Sequence, residues 1–537
     1  MIPARHALAA CVIALGLAQP TGAPPSASPS ATEPSSIDER ITRAGALLRQ
    51  WRYDEAAELV DELAREASSR PEIRYLRAEV AFLSGDYAQS LELLETINEG
   101  RARAVDDLRA LVTSTYATTR DFARHTSSRG NFEIYYPPGP DAVIVELAAE
   151  TLERAYDALG DTLGYRPEKP VRVEILSAPR DLARVSTLAK EAIETTGTIA
   201  LCKYNKLMVV TPRATVFGYP WMDTLVHEYV HYVVSRVSHD TVPVWLHEGL
   251  ARFEQDRWRA DPDLRLSGVA EHLLATALRS GELIPFDDMH PSMALLPSQE
   301  AAALAFAEVY TMVHYIHEQV GYEGIRRVLE LQRGGLGTRE AVGEVLDAPW
   351  LEVERRWKRH LRDLDLRPRS ELAGRASSRR IRFSRGGDGP DDNIGLSEVD
   401  SEQARKHSRL GGILRAHGRP AAAAVQYEKA LAIAGSDDPF VAAKLSRTYL
   451  KLSRYAEAIA LAEPLADADE NDPAPATTLG VAYLATGEVE SAREAFEAAL
   501  RISPFDPTVR CGLADAYDAA GDERAERERD ACRALRS

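Results

Sequence analysis

The chain has 537 residues, 45% of them apolar, and a formal net charge of −17. That length accommodates two to four domains, and the ordinary apolar content supplies cores for them. The acidity argues against a broad nucleic-acid or anionic-membrane surface. Beyond the N-terminus no apolar run is long enough to cross a bilayer, so the mature chain is expected to have no transmembrane span.

The chain opens with a short basic start, "MIPARH", followed by the apolar run "ALAACVIALGLA" at residues 7–18. This has the length of a secretory h-region and is too short for a span. Residues 1–18 are read as a signal peptide, with Gly16-Leu17-Ala18 before the cleavage point and Thr21-Gly22-Ala23 as a second candidate. The expected destination is secreted or periplasmic. Leu8-Ala9-Ala10-Cys11 also matches a lipobox, the minority reading being a lipid anchor at Cys11. Residues 19–36 are rich in Pro, Ser and Ala and are expected to be disordered.

Residues 37–128 contain two segments with helical-hairpin patterning. Tyr53-Asp54-Glu55-Ala56 and Asp86-Tyr87-Ala88 open the second helix of each. Two such hairpins bury their apolar faces only against neighbours, so the pair is expected to lean on the central block of the chain.

Residues 129–366 do not repeat. "NFEIYYPP" (131–138) alternates like a strand, and "DAVIVELAAETLERAYDALGDTLGY" has helical periodicity. "VRVEILS" is a second strand, and "GTIALCKYNKLMVVTP" a hairpin turning near Lys203–Asn205. "KLMVVTP" is considered as an edge strand able to pair with an extended peptide. Next comes "WMDTLVHEYVHYVVSRVS", an apolar helix containing H-E-x-x-H.

His227 and His231 lie four apart, so both rings leave one helix face. Two imidazole nitrogens so placed can reach one Zn2+ at about 2.0–2.1 Å. Glu228, one residue round, stands close enough to hold a water at such a metal, which is why the chemistry needs this pattern and not two histidines alone. Asp223, one turn earlier, either orients a ligand or serves the helix start. A third ligand is required. The extension H-x-x-G-x-x-H fails, because Val234 and Val237 stand where Gly and His belong. "PVWLHEGLARFEQ" (243–255) supplies Glu248, with His247 and then His239 as competitors. Leu246, Leu250, Ala251 and Phe253 define a buried face that Glu248 must share, and a buried carboxylate needs a partner.

"TLVHEYVHYVV" with "VPVWLHEGLARFEQ" resembles the gluzincin zinc metallopeptidases, and most closely the bacterial peptidase MA-like domains fused to tetratricopeptide repeats. The resemblance covers about residues 130–366. It implies a thermolysin-like α+β domain and a zinc metallopeptidase with one Zn2+. It also implies His227, His231 and Glu248 as metal ligands and Glu228 as general base. "ALAFAEVYTMVHYIHEQVG" resembles a later helix of that family, but Phe306 stands where Tyr is usual. Tyr310, one turn on, is carried as the catalytic oxyanion donor, beside His314, His247 and Arg252. His314 and His317 are otherwise read as a solvated helix face.

Residues 367–400 are Arg-, Ser- and Gly-rich, then acidic, and read as a linker. Residues 401–537 are periodic. Leu479-Gly480, Tyr483, Ala492, Phe496, Ala499 and Pro504 fall at the spacing of a 34-residue tetratricopeptide repeat. Units from Pro439 and around Leu410-Gly411 repeat the scheme. A truncated fourth begins at Thr508, and the charged end is read as a polar cap. Cys511 and Cys532 are placed to face each other across the last hairpin, as a disulfide or as two thiols.

The expected architecture is mostly α with a small mixed β-sheet, a peptidase domain flanked by α-solenoid repeats. The expected function is hydrolysis of peptide bonds, with repeat concave faces recruiting a protein substrate or partner. The alternative is a repeat scaffold whose peptidase-like domain binds metal without cleaving. On the recruitment reading, removal of 401–537 spares cleavage of short peptides.

Overall fold

The computed structural model describes residues 36–97, 103–260, 266–293, 296–364, 366, 399, 401–435 and 438–536. The signal peptide, Cys11, nearly all of the Pro/Ser-rich segment and nearly all of the 367–400 linker lie outside the described residues.

The N-terminal helices are α1 (Ile37–Arg49), α2 (Tyr53–Ala67), α3 (Pro71–Leu83), α4 (Tyr87–Glu95) and α5 (Arg103–Thr119). Ser36 and Glu39 close a reciprocal capping box at the start of α1. Pro71 occupies the first turn of α3, where no N–H is missed. The side chain of Asp86 accepts from the Gln89 N–H to cap α4.

The sheet has five strands, β1 (Ala123–Thr126), β2 (Phe132–Tyr136), β3 (Val171–Leu176), β4 (Ala200–Lys203) and β5 (Lys206–Val210), in the order β1-β2-β3-β5-β4. It begins at Ala123, ahead of the boundary expected at residue 129. β1 pairs antiparallel with β2, β2 and β5 run parallel to β3, and β4 closes one side antiparallel to β5. Tyr204 and Asn205 both have positive φ (56° and 59°), as a two-residue hairpin turn requires. The "KLMVV" strand is therefore internal, and the terminal strand is β4. The expectation of an edge at "KLMVVTP" fails because the hairpin folds its first arm outward.

The remaining helices of this domain are α6 (Val145–Leu163), α7 (Pro179–Val185), α8 (Lys190–Thr196), α9 (Trp221–Ser238), α10 (Val244–Glu254), α11 (Gly268–Ser280), α12 (Gln299–Arg333), α13 (Thr338–Val345) and α14 (Trp350–Asp363). α12 is broken at Gly321, whose φ of 62° interrupts the helix. α9 packs against α6, β4, β5, α10 and α12. Every residue from Trp221 to Ser235 is buried. Gly249 lets α10 approach α12, since a Cβ there would lie 2.8 Å from the Val309 carbonyl oxygen.

The C-terminal helices form consecutive hairpins: α15 (Glu402–Ala416) with α16 (Pro420–Ala434), α17 (Pro439–Lys451) with α18 (Tyr455–Ala468), α19 (Pro473–Thr486) with α20 (Val489–Leu500), and α21 (Pro507–Ala520) with α22 (Ala525–Arg536). The last unit is a complete hairpin closed by a Cys511–Cys532 disulfide. Its charged end is more than a polar cap. Glu528 is fully buried against Arg510, which also donates to the Val143 carbonyl of the central domain at 2.9 Å.

Both repeat regions grip α9. At its start, Tyr219 N–H donates to Ile502 O and Trp221 N–H to Arg501 O, each at 3.2 Å. The Trp221 indole donates to Leu500 O at 3.3 Å. Gly218 permits this approach, as its φ is +75° and a Cβ would lie 2.0 Å from Ile502 O. At the other end, Arg236 donates to Trp51 O at 2.9 Å. Nearby, the Tyr87 hydroxyl of α4 donates to buried Glu174 at 2.6 Å, and Glu174 also pairs with Lys206 and Arg172, each at 2.8 Å. Burial alone would raise the Glu174 carboxyl, but Lys206 and Arg172 outweigh it and hold it at about 2.

Residues 401–537 also hold the start of α9, so their removal acts on the central domain as well as on any recruited protein. A chain ending at residue 400 uncovers Trp221 and leaves three donors at the start of α9, the Tyr219 and Trp221 N–H groups and the Trp221 indole, without acceptors. It should melt below the full chain with red-shifted tryptophan emission, measured by thermal fluorescence. Glu174 has a folded-state pKa below its unfolded value, so its contribution is present above about pH 4.5 and is lost as pH falls towards 2. Glu174→Gln should cost about 3 kcal/mol at pH 7, because Lys206 stays buried without its counter-charge, and should flatten stability between pH 5 and 2. Urea titrations across that range measure both effects.

Candidate metal centre

α9 and α10 are joined by a short loop and deliver three ligand-type atoms to one point. His227 Nε2 lies 3.3 Å and His231 Nε2 3.8 Å from Glu248 Oε2. The side chains of His227, Glu228, His231 and Glu248 belong to residues only 2%, 1%, 1% and 2% exposed. His227 Nε2, His231 Nε2 and Glu248 Oε2 are each shut off from solvent and have no hydrogen-bond partner among the described residues. Buried polar atoms left this way are costly. Ligands at about 2.0–2.1 Å in tetrahedral array lie about 3.3 Å apart, so the donor set and its spacing fit a single zinc ion.

The far nitrogens of both rings are engaged. His227 Nδ1 lies 3.2 Å from Gln255 Oε1, an acceptor for its N–H. That leaves the Nε2 lone pair facing Glu248. His231 Nδ1 lies 2.6 Å from His247 Nδ1, whose Nε2 lies 3.3 Å from Ser235 Oγ. Ser235 donates in turn to Asp240 at 3.2 Å. One set of tautomers satisfies the whole chain. His231 Nδ1–H donates to His247, His247 Nε2–H donates to Ser235, and Ser235 donates to Asp240. This again presents a lone pair on His231 Nε2. Burial, with the other two histidines nearby, pushes His231 well below the ordinary histidine value. Burial, with His227 second, takes His247 down to about 3. Burial takes Asp240 up to about 6.

Among the residues singled out in the sequence, His227, His231 and Glu248 come together, and Glu228, next to His227 on α9, is buried. His247, considered as a third ligand and as an oxyanion donor, instead turns its ring to His231 and orients it. His239 sits at the C-terminal cap of α9 with a φ of 56°. Asp223 accepts from Trp258 Nε1 at 2.9 Å and from Arg259, tying the start of α9 to the segment after α10. Arg252 is exposed and lies over the Phe306 ring at 5.5 Å. Tyr310 is half-buried on α12, its ring 6.1 Å from that of Phe253. His314 and His317 are not a solvated face. Their rings lie 5.9 and 5.2 Å from Phe253.

Sequence reading missed Gln255, Ser235 and Asp240. Ser235 follows His231 by four residues and Gln255 follows Glu248 by seven. Helical spacing thus put both on the ligand face, and that signal could have found them.

Residues 151–363 match the family model of the Peptidase MA superfamily, and residues 41–105 and 444–507 match that of the tetratricopeptide repeat. Among solved structures the chain is similar to a thermophilic TPR protein of Thermus thermophilus, at 26% identity and TM-score 0.23, over 25% of this chain and 74% of that one. It is similar to MamA AMB-1 at 24% identity and TM-score 0.23, over 26% of this chain and 83% of that one. It is also similar to yeast LTA4 hydrolase in complex with bestatin, at 9% identity and TM-score 0.29, over 78% and 67%. Comparison with curated proteins gave no match. The chain carries a Peptidase MA superfamily domain joined to tetratricopeptide repeats.

His247→Ala should weaken zinc binding by about 10–100-fold without abolishing it, the usual cost of losing a residue that orients a ligand. Glu248→Ala should abolish tight binding at this centre. Competition with a chromophoric chelator reads both.

Proposed function

We propose that this chain is a zinc-dependent peptidase of the gluzincin type, secreted or periplasmic, with His227, His231 and Glu248 holding one Zn2+. The observation that carries this reading is the convergence of three buried, unpartnered ligand atoms beside Glu228. A zinc ion bound there supplies Lewis acidity towards water and towards a peptide carbonyl oxygen. Glu228 takes the proton of the attacking water and passes it to the leaving amine. The helix that carries Glu228, α9, packs against β4. β4 is a terminal strand of the sheet, and in this reading it aligns an extended peptide by strand pairing. Tyr310 is the oxyanion donor of this reading, on a helix packed against α10. The Cys511–Cys532 disulfide is in keeping with an oxidising compartment. No described helix is long and apolar enough to cross a membrane. Arrays of tetratricopeptide repeats ordinarily form concave faces that take protein segments, and in this reading they hold a protein substrate or partner.

Two observations favour a second reading, a metal-binding scaffold without catalysis. The four central residues are almost wholly enclosed, and Phe306 stands at the position of the expected tyrosine. A broad peptide library, incubated with wild type with and without chelator, separates the two. Glu228→Gln should retain zinc and lose cleavage by at least about 100-fold, the scale of one general base. Absence of any chelator-sensitive cleavage by wild type would establish the scaffold.

A further inference from the structure

We propose that His314, Glu318 and His360 form a second divalent-metal site, of the Zn2+ class, that staples α14 to α12. His314 and Glu318 are four apart on α12 and share a face. His360 comes from α14, the last helix of the domain. His314 Nδ1 lies 3.6 Å from one Glu318 oxygen, and His360 Nε2 lies 3.4 Å from the other. All three ligand atoms fall within 4.8 Å of one another. Each histidine thus faces its own oxygen of the one carboxylate, and small side-chain rotations bring all three groups to the roughly 3.3 Å expected between zinc ligands.

The donor set points the same way. Two imidazoles and a carboxylate suit zinc with an open position. His360 Nε2 is closed to solvent and has no hydrogen-bond partner among the described residues. Aromatic rings close one side: Tyr315 lies 5.4 Å from His360 and Phe253 5.9 Å from His314. Glu318 keeps 41% of its side chain exposed, so an ion can enter from solvent. The site shares no residue with the His227 centre and needs none of the peptidase reading.

The test is zinc titration of tag-free, chelator-stripped full chain against a chromophoric competitor, with thermal melting in parallel. Wild type should take two equivalents, and the second should raise the melting temperature. His360→Ala and Glu318→Gln should each take one equivalent and lose that rise. A His227→Ala/His231→Ala variant should keep one equivalent, and adding His360→Ala should remove it. Glu318→Gln preserves side-chain size, so its stoichiometry decides the matter even where His360→Ala loosens α14. Unchanged stoichiometry in both single variants would overturn the proposal, whatever the His227 centre does.

Discussion

The structure depends on the burial of α9. From Trp221 to Ser235 this helix has no solvent-facing side, yet it carries two imidazoles, the Glu228 carboxylate and an Arg near its end. In a low-dielectric interior each polar atom needs a partner. The neighbouring elements supply those partners. Gln255 meets the far nitrogen of His227, and the His247–Ser235–Asp240 chain meets that of His231. The near nitrogens converge with Glu248 on one point where no described residue completes them. A metal is the partner of the right charge and the right reach.

The same constraint explains why the repeats are joined so closely to the central domain. The backbone donors at the start of a buried helix cannot be left to water. Here carbonyls at residues 500–502 of the C-terminal repeats accept from Tyr219 and Trp221, while Arg236 near the far end reaches into the N-terminal repeats. The buried Arg510–Glu528 and Glu174–Lys206 pairs sit on these two seams. Breaking such a pair strands a charge, so each fixes the docking geometry more than it adds stability. The repeats are thus part of the folding unit that holds the site.

Much of this was legible in the sequence because it rests on local periodicity. The H-E-x-x-H spacing, Glu248 on a following apolar helix, the β4–β5 hairpin and the repeat units all declare themselves within a few tens of residues. What stayed hidden depends on contacts between distant segments. The order of the strands put "KLMVV" inside the sheet, and no local pattern encodes strand order. His247 looked like a ligand because histidine beside Glu248 can be one. Only the position of Ser235 and the facing His231 ring make it an orienting group. Glu528 read as a surface charge in a polar terminus until Arg510 and the domain interface bury it. His360 carries no local signal, since its partners His314 and Glu318 lie more than forty residues away.

The most direct test of the central claim is anomalous scattering at the zinc edge from crystals of the full chain grown with zinc. This account predicts a peak bounded by His227 Nε2, His231 Nε2 and Glu248 Oε2, with ligand distances of about 2.0–2.2 Å. A crystal with zinc at other histidines and no anomalous density between α9 and α10 would contradict it.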